Sequence, residues 1–221
     1  MKRLIISDTH IGSRYSRKTE LLNLLRQADF DQLILNGDII EFLKVPTFSR
    51  ISLEIFKTAK EKAKEIIYVI GNHDVAMRDF ISHTFENIRF VEEYCFEENG
   101  RKFRIEHGDK YEKGIVHFRF IMQIISVFQD AIEKIFDVDL STWFNNLKIN
   151  RRKIKRLWDI IDLNNDVDVL IIGHTHMPEA VIWIDENEKI KTYVNCGDWV
   201  QHATYVEIED GVVRLRNFLK K

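Results

Sequence analysis

Five short polar motifs lie along the 221 residues: Asp8-x-His10, Gly37-Asp38-x-x-Glu41, Gly71-Asn72-His73-Asp74, His107-Gly108-Asp109 and Gly173-His174-x-His176. Their carboxylates, imidazoles and single amide oxygen make up the ligand set preferred by Mn, Fe, Zn or Co, with no thiolate among them. Asp8, His10, Asp38, Asn72, His107, His174 and His176 give seven candidate ligands, more than one such ion accommodates, and a carboxylate such as Asp38 can bridge two ions. Divalent ions paired at roughly 3.5–4 Å clamp the attacking and leaving oxygens of an in-line phosphoryl displacement. The residues alone therefore point to metal-assisted phosphoester hydrolysis. A single Gly-Asp after a strand is more often a turn or a helix cap. Here, however, five of the eight histidines fall inside the motifs.

Each motif begins where an apolar, strand-like run stops. Runs at Arg3–Ser7, Gln32–Leu35 and Ile66–Ile70 alternate with helical patterns at Lys18–Ala28 and Phe48–Lys64, which predicts successive βαβ units and a parallel sheet. Sites in open α/β sheets form beyond the carboxyl ends of the strands, where these motifs fall. Two or three strands are expected between Ile88 and His107, with Asn99-Gly100 as a hairpin turn. A helix apolar around most of its circumference is expected over Gly114–Phe136, then Trp143–Leu147 and a basic helix over Asn150–Ile161. Strands resume at Val167–Ile172 and run through Val212–Phe218, with Glu209-Asp210-Gly211 as one turn; this last third reads as antiparallel and hairpin-rich.

Thirty-three Lys and Arg against 35 Asp and Glu give a net charge of -2, which argues against nucleic acid held by bulk charge. With 45% hydrophobic residues, 9 Gly and 2 Pro, the chain is expected to be a single globular domain, residues 1–221, with a helical insert at about 112–163. Two distant cysteines suit a reducing compartment, and Leu4–Ile6 falls far short of a signal-peptide core. The expected location is cytoplasmic.

The order and wording of the five motifs resemble the calcineurin-like metallophosphoesterases from Asp8 to His176. That resemblance implies an α/β (α+β) fold, a four-layer sandwich of two mixed β-sheets flanked by helices. It implies two divalent ions, one held by Asp8, His10 and His176 and the other by Asn72, His107 and His174, bridged by Asp38, with a hydroxide between them as nucleophile. His73 would then meet the substrate phosphate and the leaving oxygen, where a protonated imidazole helps most, and Asp74 would orient its ring. Asn72 and His73 would thus contact substrate. Glu41 reads as an outer acceptor or helix cap, and His83, His117 and His202 as surface or core residues, although the Gly197-Asp198-Trp199 loop before His202 could approach the metals.

Sixty-six residues separate His107 from His174, far more than a crossover needs. They combine the apolar Gly114–Phe136 with the basic cluster Lys148, Arg151, Arg152, Lys153, Lys155 and Arg156, which suits an anionic amphiphile, its phosphates met by residues such as Arg151, Arg152 and Lys155. The other reading is a cap packed on the sheet or on a second subunit. The insert and the late Asn195-Cys-Gly-Asp-Trp199 look most like the UDP-2,3-diacylglucosamine pyrophosphohydrolase group of lipid A biosynthesis. That resemblance implies manganese, a glycolipid nucleotide-sugar substrate and peripheral contact with the inner face of a membrane. The best-defined members of that group read Asn-Arg-Asp where this chain has Asn72-His73-Asp74. Other readings are a phosphatase or phosphodiesterase for a soluble phosphoester or nucleotide, a nuclease following its basic helix, and a non-catalytic scaffold, which is disfavoured because all seven ligands are present.

Overall fold

The computed structural model describes residues 1–43, 47–111 and 151–219, with the backbone alone over 151–156. The chain divides into two compact units, Met1–Asp109 with Asp166–Lys221, and Lys110–Asn165.

The first unit is built on two mixed sheets. The larger has seven strands: β1 (Lys2–Ile6), β2 (Gln32–Asn36), β3 (Glu65–Val69), β4 (Thr84–Phe85), β5 (Ile88–Val91), β11 (Thr204–Glu209) and β12 (Val212–Asn217), in the order β12-β11-β1-β2-β3-β5-β4. Strands β1, β2, β3 and β5 are mutually parallel, whereas β11, β12 and β4 add antiparallel edges. The smaller sheet, β6 (Glu93–Glu98), β7 (Arg101–Glu106), β8 (Val169–Ile172), β9 (Glu179–Ile184) and β10 (Ile190–Asn195), runs β6-β7-β8-β10-β9.

Central strands such as Leu4–Ile6 and Val169–Ile172 are buried on both faces, so they read as continuous apolar runs. One face of the larger sheet packs on the smaller sheet: Ile5, Ile34, Ile67 and Ile208 meet Phe103, Ile105, Val169 and Val194 in one cluster. Its other face supports α1 (Lys18–Gln27) and α2 (Arg50–Lys62). Helix α1 buries Leu21, Leu22, Leu24 and Leu25. Helix α2 opens on a reciprocal Ser49/Ser52 capping box and buries Ile55 and Ala59. The two mixed sheets with flanking helices agree with the expected fold.

Both predicted hairpin turns form. Asn99 and Gly100 have φ of 51° and 73°, and Asp210 and Gly211 have 49° and 72°, the paired left-handed conformation that matches strand twist. The last third is less antiparallel than expected. Strands β9–β10 and β11–β12 are antiparallel hairpins, but β8 pairs with both β7 and β10 in parallel. Parallel neighbours need long crossovers, and the chain between β7 and β8 supplies one.

In the second unit, the expected basic helix is α3 (Arg151–Leu163), where the Asn164 amide closes the last turn by donating to Ile160 O at 2.8 Å. The expected helix over Gly114–Phe136, the Trp143–Leu147 segment and His117 lie outside the described residues. Among the described residues no helix is long and apolar enough to cross a membrane.

Candidate metal centre

All seven expected ligands lie just beyond the carboxyl ends of strands. Asp8 and His10 follow β1, Asp38 follows β2 and Asn72 follows β3 in the larger sheet; His107 follows β7, and His174 and His176 follow β8 in the smaller. The site is therefore assembled from both sheets along one edge of their interface.

The backbone pays a local cost to aim these side chains. Asp8, His10, Asp38, His174 and His176 all have φ between 45° and 66°. For a residue other than glycine this left-handed conformation costs roughly 1–2 kcal/mol, and it persists where surrounding bonds over-determine it. Here Asp8 N donates to Gly37 O at 3.1 Å, His10 N to Asp38 O at 3.0 Å and His174 N to Asp8 Oδ2 at 2.9 Å. Two glycines allow the turns to close this tightly. A Cβ at Gly71 would fall on the Asp38 carboxylate and amide, and one at Gly173 on Ser7 Oγ and Asp8 Oδ2.

The ligating atoms fall into overlapping clusters. Those of Asp8, His10 and His176 lie within 4.8 Å of one another, as do those of Asp38, His107 and His174, and those of His10, Asp38 and His73. Asn72 joins the second cluster, with Oδ1 3.2 Å from His107 Nε2. Asp38 is common to two clusters, with Oδ2 3.2 Å from His107 Nε2 and 3.8 Å from His73 Nε2.

The outer partners decide which imidazole nitrogen faces inward. His10 Nδ1 is 3.2 Å from Glu41 Oε2, His107 Nδ1 is 3.1 Å from Asn36 O, and His176 Nδ1 is 3.5 Å from Asp198 Oδ2. Each partner is an acceptor, so the proton belongs on Nδ1 and the Nε2 lone pair points to the centre. His10 Nε2 and His176 Nε2 then face each other at 3.2 Å, and Asp8 Oδ1, buried and accepting no hydrogen bond, lies 3.3 Å from His176 Nε2. Convergent lone pairs of this kind require positive charge between them. The donor set thus fits divalent cations.

Without a metal, protons must supply that charge. Burial disfavours the charged form of His107, but Asp38 outweighs it and raises the ring to about 10. Burial likewise opposes charge on His73, and Asp38 with Glu41 raises it to about 9. Asp38 is buried, yet His107 and His73 hold its carboxylate well below the usual range.

The expected role of Asp74 is corrected. Both Glu41 oxygens lie 2.8 Å from His73 Nδ1, so Glu41 orients that ring. Asp74 instead builds the turn behind the centre: Oδ1 accepts from Asp38 N at 3.0 Å and Gly71 N at 3.1 Å, and Oδ2 from Ile39 N at 3.1 Å and the Tyr68 hydroxyl at 2.6 Å. Side-chain direction in the loop decides this, and adjacency in sequence does not reveal it. Glu41 also serves His10, which makes it a shared acceptor as well as an outer one. Its place in Gly37-Asp38-x-x-Glu41 was the available signal.

Asp198, which carried no assigned role in the sequence, is fully buried. It binds the amides of Val200, Gln201 and His202 and lies 3.1 Å from His202 Nδ1. The loop approaches the candidate ligand His176 through Asp198, with His202 on its outer side. His83 is exposed. Arg151, Arg152 and Lys155 fall on α3 of the other unit, among the residues described by backbone alone.

The family model for calcineurin-like phosphoesterases matches residues 1–178. Among solved structures, Vps29 from Chaetomium thermophilum is similar at 12% identity and a TM-score of 0.54, covering 98% of this chain and 96% of that one. An archaeal phosphodiesterase is similar at 17% identity and 0.52, covering 98% and 99%. Vps29 from Cryptosporidium parvum is similar at 15% identity and 0.51, covering 98% and 95%. At these identities the likeness is one of fold. No curated protein matches the sequence. With the family model covering all five motifs, through His176, the chain belongs to the calcineurin-like phosphoesterase family and is a metal-dependent phosphoester hydrolase.

Proposed function

We propose that the chain hydrolyses a phosphoester or pyrophosphate bond at a dinuclear centre. Asp8, His10 and His176 would hold one divalent ion, Asn72, His107 and His174 the other, and Asp38 both. The observation that carries this reading is the Asp38 carboxylate, which clusters with His107 and His174 of one proposed half-site and, through a second cluster, with His10 of the other. Bound there, two ions supply Lewis-acid charge to the phosphoryl oxygens and lower the pKa of a coordinated water.

The protein's own part falls to His73. Glu41 fixes its Nδ1, and its ring packs edge-on against His10 with centroids 4.6 Å apart, leaving Nε2 on the side of Asp38. A proton held at Nε2 can be donated to an equatorial phosphoryl oxygen or to the leaving oxygen as negative charge develops. Asn72 and His73 are the substrate contacts of this reading.

For the substrate we propose a lipid-linked nucleotide-sugar such as UDP-2,3-diacylglucosamine, with manganese as the metal and Fe, Zn or Co as substitutes. Support comes from the composition of 112–163, taken as an insert within a single domain, and from Asn195-Cys-Gly-Asp-Trp199. Arg151, Arg152 and Lys155 would meet phosphates, and the apolar segment acyl chains, at the cytoplasmic face of a membrane. The test is UMP release from UDP-2,3-diacylglucosamine by manganese-loaded protein, with an artificial phosphodiester in parallel. Release of UMP is the expected result. Hydrolysis of the artificial ester alone would retain the dinuclear chemistry and overturn the lipid substrate.

A further inference from the structure

Parallel strands need cover on both faces. In the larger sheet the β1-to-β2 crossover carries α1 and the β2-to-β3 crossover carries α2, but between β3 and β5 the chain supplies only the six-residue 3-10 segment Val75–Phe80 and the two-residue β4. Among the described residues, the face over β3 and β5 is therefore short of a helix.

Among the described residues, a cavity of about 420 Å³ occupies that gap. Its floor is Ile66 and Tyr68 of β3 with Ile88 and Phe90 of β5, residues two apart on each strand and so on one face of the sheet. Phe56 of α2 forms one wall, and Met77 of the 3-10 segment also lines it. The space is a cleft open to solvent on one side, with the size and the apolar lining of a small-molecule site.

Leu35 and Ile40 complete the apolar lining, and two cations, Lys57 and Lys60, three positions apart on α2, also line it. Long lysine stems cover apolar surface while the ammonium stays in water. Here the Lys57 and Lys60 side chains are 73% and 50% exposed, and their ammoniums sit 3.8 Å from Glu61 and 2.5 Å from Glu86. Exposed pairs of this kind contribute little, so a ligand anion can replace these carboxylates at small cost.

We propose that this cavity binds a single-chain anionic amphiphile in monomeric form, its aliphatic chain on the β3–β5 face and its carboxylate at Lys57 and Lys60. The site is separate from the metal centre and independent of which phosphoester is hydrolysed there. Two cations on one wall of a concave apolar space suit a small amphiphile better than a protein helix, which would need a longer open groove.

The probe is dodecanoate below its micellar concentration, titrated into the full chain and followed by calorimetry and by the methyl resonances of Met77 and Ile88. One-to-one saturable binding with shifts at both methyls is expected. The double variant Lys57→Glu, Lys60→Glu, altered only at exposed positions, should bind at least about tenfold more weakly while hydrolysing an artificial phosphodiester at an unchanged rate. Ile88→Trp, which fills the cavity, should abolish binding; Met77→Phe is the milder filling variant should Ile88→Trp fail to fold. Absence of saturable binding overturns the proposal, as does binding that survives both charge reversal and filling. Equal affinity for dodecyltrimethylammonium overturns the anionic assignment. Adsorption to phosphatidylglycerol vesicles without binding of monomeric dodecanoate would make the face membrane-seeking and overturn it too.

Discussion

Around Asp8, His10 and His176 the imidazoles are backed by carboxylates, Glu41 behind His10 and Asp198 behind His176. Around Asp38, His107 and His174, His107 is backed by the neutral carbonyl of Asn36, and the amide oxygen of Asn72 stands where another charged ligand could have been. A carboxylate behind an imidazole raises its basicity as a ligand. The first cluster also has Asp8 to itself, whereas the second has only the Asp38 carboxylate, which the proposed centre shares between both ions. Two half-sites built from the same residue types are thus expected to differ in affinity, the first holding its ion more firmly.

The most damaging change should be Asp38→Asn, which removes the carboxylate that the proposed centre shares between its halves. Metal content should fall below two ions per chain and turnover should drop by about 10⁴-fold or more, beyond what a lost proton donor alone costs. Full metal content in this variant, read by elemental analysis, would break the sharing on which the comparison rests. His73→Ala should lose about 10²–10⁴-fold in turnover while retaining both ions, because His73, although clustered with His10 and Asp38, is the proton donor of the proposed centre and outside its ligand set. An unchanged rate at intact metal content would remove it from the chemistry.

A smaller effect sharpens the asymmetry directly. Asp198→Asn should weaken the first ion by about 10–100-fold and spare the second. Metal titration would show the two affinities drawing together; a selective loss of the weaker ion would reverse the assignment. The subtlest expectation concerns pH. In the metal-free protein His107 and His73 are raised to about 10 and about 9, above the usual value near 6.5. The folded state then binds more protons than the unfolded one between those values, so this contribution is full below about 6.5 and is lost as pH rises through 9 to 10. Metal must displace the ligand protons, so the rise in Tm on adding manganese should grow with pH across the same window. A metal-induced shift independent of pH would show that the ligands are already deprotonated.

The candidate ligands were legible because each is tied to a strand end, and strand ends are readable from apolar runs. Asp8, Asp38, Asn72, His107, His174 and His176 each follow such a run within a few residues, and parallel strands bring their carboxyl ends together. The same logic recovered α1, α2 and both hairpin turns, where local periodicity and the Asn-Gly and Asp-Gly pairs carry the signal. The pairing of β8 between β7 and β10 was not legible, because strand order is set by which faces bury each other across the whole sandwich.

What the amino-acid sequence determined by itself was the inventory: parallel βαβ units followed by hairpin-rich strands, a borderline-hard ligand set, and its placement at strand ends; the two-sheet sandwich came from the family resemblance. Tertiary structure alone decided the partnerships. Asp74 adjoins His73 in the chain yet turns to Asp38 and Tyr68, while Glu41, 32 positions from His73, takes its ring. Asp198 reaches His176 only because β8 and β10 are neighbours. The physical reason is range: apolar periodicity and turn preference act over a few residues, whereas hydrogen bonds between loops depend on where distant strands end and on which way each side chain leaves its turn.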